Sequence, residues 1–178
     1  MGVAKDNFEE GGRRMSFVAG FAEVEVDVET GEIRLVDYAA GCDVGTVIHP
    51  KNFEGQVFGG AIQGFSVALS QKWVYDRRWG LLVAKRFYNN RPPGILDVPY
   101  EQPMKWAAAD LPDPFNPVGA KGVGEAAQGA GSGAVVVAIA DALGEENGDF
   151  FRSPITRDMI LTQLEQAPTG HDRLTAHV

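Results

Sequence analysis

From Phe17 to Val28 the chain alternates apolar and acidic positions, FVAGFAEVEVDV. Val18, Gly20, Ala22, Val24, Val26 and Val28 fall on one face, while Glu23, Glu25 and Asp27 fall on the other. A period of two predicts a half-exposed strand. The turn Glu29-Thr30-Gly31-Glu32 follows, then IRLVDYAA as a second strand, so the pair predicts a β-hairpin. Beyond it the period changes. Phe53, Val57, Ala61 and Phe65 recur every four residues, with Gly60 and Gly64 on a neighbouring face. Pro50 suits a first helical turn, so a helix is expected over Pro50–Leu69. QKWVYD and GLLVA read as a short hairpin around Asp76–Gly80, and residues 86–118, rich in proline and asparagine, as a long extended loop. A glycine-rich turn then leads into an apolar helix over Glu125–Leu143. Ser153-Pro154 reads as the N-cap and first residue of a last helix over 155–165. The expected organisation is a polar arm (1–16), an α+β body (17–167) built from a β-hairpin and short strands with two or three packed helices, and a flexible tail (168–178).

Composition narrows the function classes. The chain has 178 residues, 44% hydrophobic and 22% charged, which is ordinary globular usage. Sixteen Lys and Arg against 24 Asp and Glu give a net charge of −8. That balance disfavours nonspecific binding to nucleic acid or to an anionic membrane. The single cysteine, Cys42, rules out an internal disulfide, a thiolate zinc site and an iron–sulfur cluster held by this chain alone. No apolar run is read as a membrane span, and the first residues lack the apolar core of a signal peptide, so a soluble, cytoplasmic protein is expected. Glycine is the outlier: there are 22, where usage of ~7% predicts about 12–13. They cluster among apolar residues, at Gly59, Gly60 and Gly64 and again from Gly119 to Gly133. Such placement signals close approach of another backbone or a ligand.

Each candidate for chemistry also has a structural explanation. Gly119-Ala120-Lys121-Gly122-Val123-Gly124-Glu125 ends in a glutamate that opens an apolar helix. On spacing alone Glu125 is a first-turn acid complementing the helix dipole, worth about 0.3–1 kcal/mol. Its functional alternative is a general base in a dry, glycine-lined pocket that would raise its pKa. Gly122-Val123-Gly124-Glu125-Ala126-Ala127 fits a G-x-G-x-x-A dinucleotide fingerprint, but Asp113-Pro114-Phe115-Asn116-Pro117 stands where a strand is required, which excludes a Rossmann domain. In Gly55-Gln56-Val57-Phe58-Gly59-Gly60 the glycines suit close helix packing, and the alternative is that Gln56 offers its amide to a ligand. Asp43 reads as a turn or capping residue, His49 as structural and Cys42 as a small buried residue. Phe87, Tyr88, Trp106 and Phe115 are either walls of an aromatic pocket or packing residues.

Taken together these motifs resemble the C-terminal part of the molybdenum-binding (large) subunit of the xanthine dehydrogenase/aldehyde oxidase family of molybdenum hydroxylases. The matching order is FVAGFAEVEVDVETGEIRL, the Asp43-Val44-Gly45 crossing with His49-Pro50, GQVFGGAIQG, Leu96-Asp97-Val98-Pro99, and GAKGVGE with an apolar helix ending in Asp-Ala-Leu-Gly. It runs from about Phe17 to Leu164. The fold implied is the C-terminal piece of a molybdopterin-binding domain. The resemblance makes Glu125 the active-site base for hydroxylation of an aldehyde or N-heterocyclic or aromatic substrate, with water as the oxygen source. It puts Gln56, Gly59 and Gly60 beside the pterin, and Lys121, Gly122, Val123 and Gly124 in the catalytic turn. Molybdenum–molybdopterin in its cytosine dinucleotide form would be shared with a larger molybdenum-binding subunit. Iron–sulfur clusters and FAD would lie on separate iron–sulfur and flavin subunits.

The chain departs from the family pattern in two places: Ala126-Ala127 stand where prolines are common, and His49 where asparagine is common. The family's large subunit is several times longer, so the chain is a separately encoded piece of a split subunit or a fragment. Met1, the polar lead-in and the polar tail fit a small subunit. Two rival readings remain at this point. One is a non-catalytic structural or assembly subunit of such a complex, and the other a free nucleotide-binding module.

Overall fold

The computed structural model describes Gly2 and residues 15–164 apart from 102, 116, 145–149 and 151. Most of the expected arm and all of the expected tail lie outside the described residues. The elements are β1 (Phe17–Val26), β2 (Ile33–Asp43), α1 (Pro50–Leu69), β3 (Lys105–Ala108), α2 (Gly124–Leu143) and α3 (Arg157–Gln163).

The alternating segment forms the predicted hairpin. β1 pairs antiparallel with β2, from Phe17 opposite Asp43 to Val26 opposite Ile33. The register shifts between Glu23 and Val24, a β-bulge that adds local twist. The Asp27 carboxylate closes the turn by accepting from the Glu29 and Thr30 amides at 2.8 and 3.0 Å. These amide bonds hold its carboxyl below the usual range. Gly31 takes φ +70°, and a Cβ there would stand 2.6 Å from the Arg157 carbonyl oxygen, so the turn admits no side chain. β2 runs three residues past the expected Ala40, through Gly41, Cys42 and Asp43.

The extension of β2 has a partner that local pattern does not reveal. β3 pairs parallel with it, Ala39 opposite Lys105 through Cys42 opposite Ala108, giving the order β1-β2-β3. The expected loop over 86–118 therefore contains a strand. Lys-Trp-Ala-Ala is too short to show a period, and the pairing comes from chain more than 60 residues away. The short hairpin expected after α1 shrinks to a tight turn with a single bridge, Tyr75 to Leu82.

α1 spans the expected residues. His49 is extended at the N-cap and its Nδ1 accepts from the Asn52 amide at 3.2 Å, so its role is structural. Phe53, Val57, Ala61, Phe65 and Ala68 are buried along one face. Tyr38 of β2 meets the Phe65 ring edge-on at 5.0 Å. The aromatic pocket considered above does not form. Phe87 and Tyr88 are 79% exposed, while Trp106 packs on Phe53 at 4.9 Å and donates to Glu54.

α2 packs between α1 and the inner face of β1, and the glycines make this possible. A Cβ on Gly60 would stand 2.5 Å from the Gly124 carbonyl oxygen. One on Gly64 would overlap the Gln128 carbonyl oxygen and stand 2.6 Å from the Ser132 amide, and one on Gly131 would stand 2.8 Å from Ala61 Cα. On the other side, Gly20 of β1 admits the Ala130 carbonyl. By length and composition α2 is apolar enough to cross a membrane, contrary to the reading that the chain has no such run. Ala127, Gly131, Val135, Ile139 and Leu143 are buried along one side, while only 28% of the apolar stretch is buried. α3 begins later than predicted. The Ile155 amide donates to the Ala68 carbonyl at 2.7 Å and Thr156 is extended, so the helix starts at Arg157, and Ser153-Pro154, joined by a cis peptide bond, precedes it.

Two outcomes follow for stability. Gly64→Val drives atoms into backbone that cannot yield and costs about 1–3 kcal/mol or more in urea unfolding. Gly59→Ala, which meets nothing within 4 Å, raises stability by up to about 1 kcal/mol through helix propensity. The Tyr38 hydroxyl is buried and lacks a hydrogen-bond partner among the described residues. Burial pushes its pKa up to about 12 from 10.0. An acid whose folded value is raised contributes stability that is full below the unfolded value and is lost as pH rises through the folded one. Tyr38→Phe is therefore expected to match wild type at neutral pH and to lack the loss between pH 10 and 12, read as Tm against pH.

Candidate functional site

The turn before α2 is stitched to the far end of β2. Gly45 takes φ +73° and forms an antiparallel bridge with Ala120. The Thr46 and Asp113 amides both donate to the Gly119 carbonyl at 2.8 Å, and the Lys121 amide donates to the Val44 carbonyl at 2.8 Å. Gly119, at φ +73°, lies so close to Thr46 and Pro112 that a Cβ would meet Thr46 Oγ1 at 2.7 Å. Gly45 likewise lies against the Gly119 carbonyl. Ser16, just ahead of β1, donates its hydroxyl to the Gly122 carbonyl at 2.5 Å. The start of α2 is thus fixed from both hairpin strands.

One ion pair reinforces the stitch. Lys121 Nζ lies 3.0 Å from Asp43 Oδ1, with the lysine side chain only 14% exposed. The lysine hydrogen bond holds the Asp43 carboxyl below its ordinary 3.8 against desolvation, which raises it, and the lysine charge and the Gly45 amide lower it further. Asp43 is the turn-holding residue expected of it. Cys42 is buried, with its thiol pKa pushed up by desolvation.

α1 and the first turn of α2 enclose a cleft of about 260 Å³. Gly55, Gln56, Gly59, Gly60 and Gln63 line it from α1, and Gly124, Glu125 and Gln128 from α2. The fold so brings together Gln56, Gly59, Gly60, Gly124 and Glu125 among the sequence candidates. Lys121, Gly122 and Val123 do not line the cleft. Lys121 is turned to Asp43, Gly122 is held by Ser16, and Val123 packs on the core as the residue preceding α2. A Cβ on Gly55 or Gly59 would meet nothing within 4 Å, so these glycines keep the floor open rather than serving helix packing. Glu125 is exposed, so the dry pocket expected around it is not formed by the described residues.

Gln63 and Gln128 were not among the candidates. Both sit at helical spacing from residues that were: Gly55, Gly59 and Gln63 recur every four positions, and Gln128 lies three after Glu125. A larger groove of about 920 Å³ lies at the hairpin's turn end, under Arg91–Tyr100, and contains none of the candidates.

The molybdopterin cofactor-binding domain profile matches residues 3–99. The chain is 32% identical over 153 residues to the aldehyde oxidoreductase molybdenum-binding subunit PaoC of Escherichia coli, covering 85% of this chain and 20% of that protein. It is 34% identical over 140 residues to the carbon monoxide dehydrogenase large chain of Afipia carboxidovorans, covering 78% and 17% respectively. Quinoline 2-oxidoreductase from Pseudomonas putida 86 superposes with a TM-score of 0.72 at 34% identity, over 82% of this chain and 18% of that one. The chain therefore spans a fifth or less of the length of these relatives. The profile match extends over more than half of the residues: the chain belongs to the molybdopterin cofactor-binding domain family.

Proposed function

We propose that this chain is a component of a molybdenum-dependent hydroxylase or dehydrogenase in which Glu125 is the general base and the α1–α2 cleft is one wall of the molybdopterin site. A larger molybdenum-binding polypeptide completes the site. Iron–sulfur and flavin subunits carry electrons away, since Cys42 alone cannot hold a cluster. The substrate class is an aldehyde or an N-heterocyclic or aromatic compound. The observation that carries the reading is the convergence of Glu125 with three carboxamides over an open glycine floor.

The residues fit the group. Gly55 and Gly59 leave room where side chains would stand, and Gln56, Gln63 and Gln128 offer both donors and acceptors to a flat polar heterocycle. Val123 supplies no side-chain cap, so backbone amides at the start of α2 keep donor capacity toward an anionic ligand. When bound, molybdenum–molybdopterin supplies the two-electron oxidation. Glu125 has a proton to move: a carboxylate oxygen accepts it as oxygen from water is transferred to the substrate carbon. Gln56 stands over Gly124, with Oε1 3.2 Å from where a Cβ would lie, and so orients ligand against the helix start. Lys121 and Asp43 keep that start fixed rather than touching the ligand.

A second reading has its own observation. Glu125 is exposed at the first turn of α2, where a carboxylate also complements the helix dipole, as a purely structural subunit would require. Glu125→Gln in the assembled complex separates the two. The catalytic reading expects turnover to fall by about 10²–10⁴, with molybdenum content and subunit composition unchanged. Turnover within a few-fold of wild type leaves only the structural role.

The Asp43–Lys121 strap yields a pH signature. A carboxylate with a depressed folded pKa contributes stability above its unfolded value, and that stability is lost as pH falls through the folded value. The strap is thus fully formed at neutral pH and weakens below pH 3.8. Asp43→Asn is expected to lower Tm at pH 7, with the gap to wild type narrowing below pH 3.8. A gap that stays constant through that range assigns the loss to something other than the ion pair.

A further inference from the structure

Lys121 carries its charge in the turn that presents Glu125. Its ammonium lies 3.0 Å from Asp43 Oδ1, and Glu125 follows it by four residues. That stretch of chain extends at most about 14 Å, within the combined reach of a lysine and a glutamate side chain directed at each other. In the folded chain the lysine takes Asp43, and Glu125 forms no ion pair with a described residue. The turn also has its shape from other bonds. The Lys121 amide donates to the Val44 carbonyl, Ala120 bridges Gly45, and the Ser16 hydroxyl holds the Gly122 carbonyl. None of these uses the lysine side chain.

The charges around Glu125 make the choice of partner matter. Apart from Glu125 the cleft is lined by glycines and by Gln56, Gln63 and Gln128, so the carboxylate is the one charge in that lining. β1 meets α2 through Gly20, with Val18 and Ala22 packed on the core. Lys51, the cation at the start of α1, is paired with Glu54. The other acids beside the turn are Asp110 and Asp113, whose carboxylates already accept from the Val47 and Phe115 amides. A base that enters an ion pair is weakened twice. The opposite charge favours its ionised form, and the bond occupies an oxygen that must receive the proton. A lysine side chain only 14% exposed does not stay unpaired when its carboxylate is removed, because an uncompensated buried charge is costly.

We propose that Asp43 is a positioning residue that acts through Lys121: it captures the ammonium and so keeps Glu125 unpaired at the cleft. This rests on the reading of Glu125 as the general base and gives the ion pair a purpose beyond holding the turn. Removing the Asp43 carboxylate sends Lys121 to Glu125, whose titration midpoint then falls. Removing the lysine as well takes that effect away. Removing the lysine alone changes Glu125 little, because Asp43 already neutralises it.

The test is an NMR titration of the Glu125 side-chain carboxyl carbon in the full chain. Wild type, Asp43→Asn, Lys121→Met and Asp43→Asn/Lys121→Met are compared, with folding checked from the amide spectrum. Asp43→Asn is expected to move the midpoint down by about 0.5–1 pH unit, the move to shrink as salt is raised, and the double variant to return to the wild-type midpoint. An unmoved midpoint in folded Asp43→Asn, as when Lys121 turns to Asp113 instead, overturns the proposal. So does a double variant displaced as far as the single one. Where Asp43→Asn does not fold, Lys121→Met decides. A midpoint that rises by about 0.5 or more shows that the lysine already acts on Glu125 in the wild type and overturns the proposal; a midpoint that stays supports it. The pH dependence of kcat/KM in the assembled molybdenum complex keeps the functional reading separate. If Glu125 is the base, the acid limb follows the carboxyl midpoint from variant to variant. If the midpoint moves as expected and the acid limb does not, Glu125 is not the base, and the capture of Lys121 stands without it. If neither moves although Glu125→Gln abolishes turnover, the capture is wrong and the functional reading stands.

Discussion

Everything distinctive about this chain depends on how closely α1 and α2 approach. Helices separated by ordinary side chains lie 8–10 Å apart. Here Gly60, Gly64 and Gly131 remove the side chains at the crossing, so backbone meets backbone. The crossing is at the N-terminal end of α2, and this places Gly124, Glu125 and Gln128 against the glycine-bearing face of α1. The cleft is the open side of the same crossing. Glycines that face α2 hold the helices together, while Gly55 and Gly59, one helical step away, keep the cleft floor clear. A single spacing pattern thus serves packing on one face and access on the next.

The second constraint is the direction in which Glu125 is presented. A helix end is the most easily frayed part of a helix. In this fold the residues just before α2 are tied to the end of β2 through Gly45, Val44 and Thr46, to the start of β1 through Ser16, and to Asp43 through Lys121. These bonds come from chain 73 to 106 residues away. They set the helix start independently of α2's own propensity, which its many glycines weaken. The energetic cost of a glycine-rich helix is offset by tertiary packing on two sides, against α1 and β1.

What could be read in the sequence follows from the range of each interaction. The hairpin, α1 and α2 are written in local period, and their limits hold to within a few residues. Gly60 and Gly64 announced a close approach, though not what approached. β3 was invisible because four residues carry no period and its partner is distant. α3 was misplaced because Ser153-Pro154 imitates a helix start, while the tertiary bond from Ile155 to Ala68 delays it. For the site, Glu125 and Gln56 came from motifs within continuous sequence. Gln63 and Gln128 emerge only when two helices are brought together. The dry surroundings expected for Glu125 are not formed among the described residues, because the first turn of α2 lies at the open side of the helix crossing.

That last point bears on how the cleft works. A carboxylate in water is a poor base for a difficult proton, because solvent screens it and reorganises with every charge movement. The cleft described here holds the carboxylate, the amides and the open floor in a fixed arrangement, but leaves Glu125 in solvent. The geometry is therefore built into this chain, while the dielectric is not. Covering the cleft from outside would exclude water without moving Glu125, since the turn before it is already held from three sides. Under the proposed reading, covering the cleft is the step that turns a dipole-stabilised surface acid into a base.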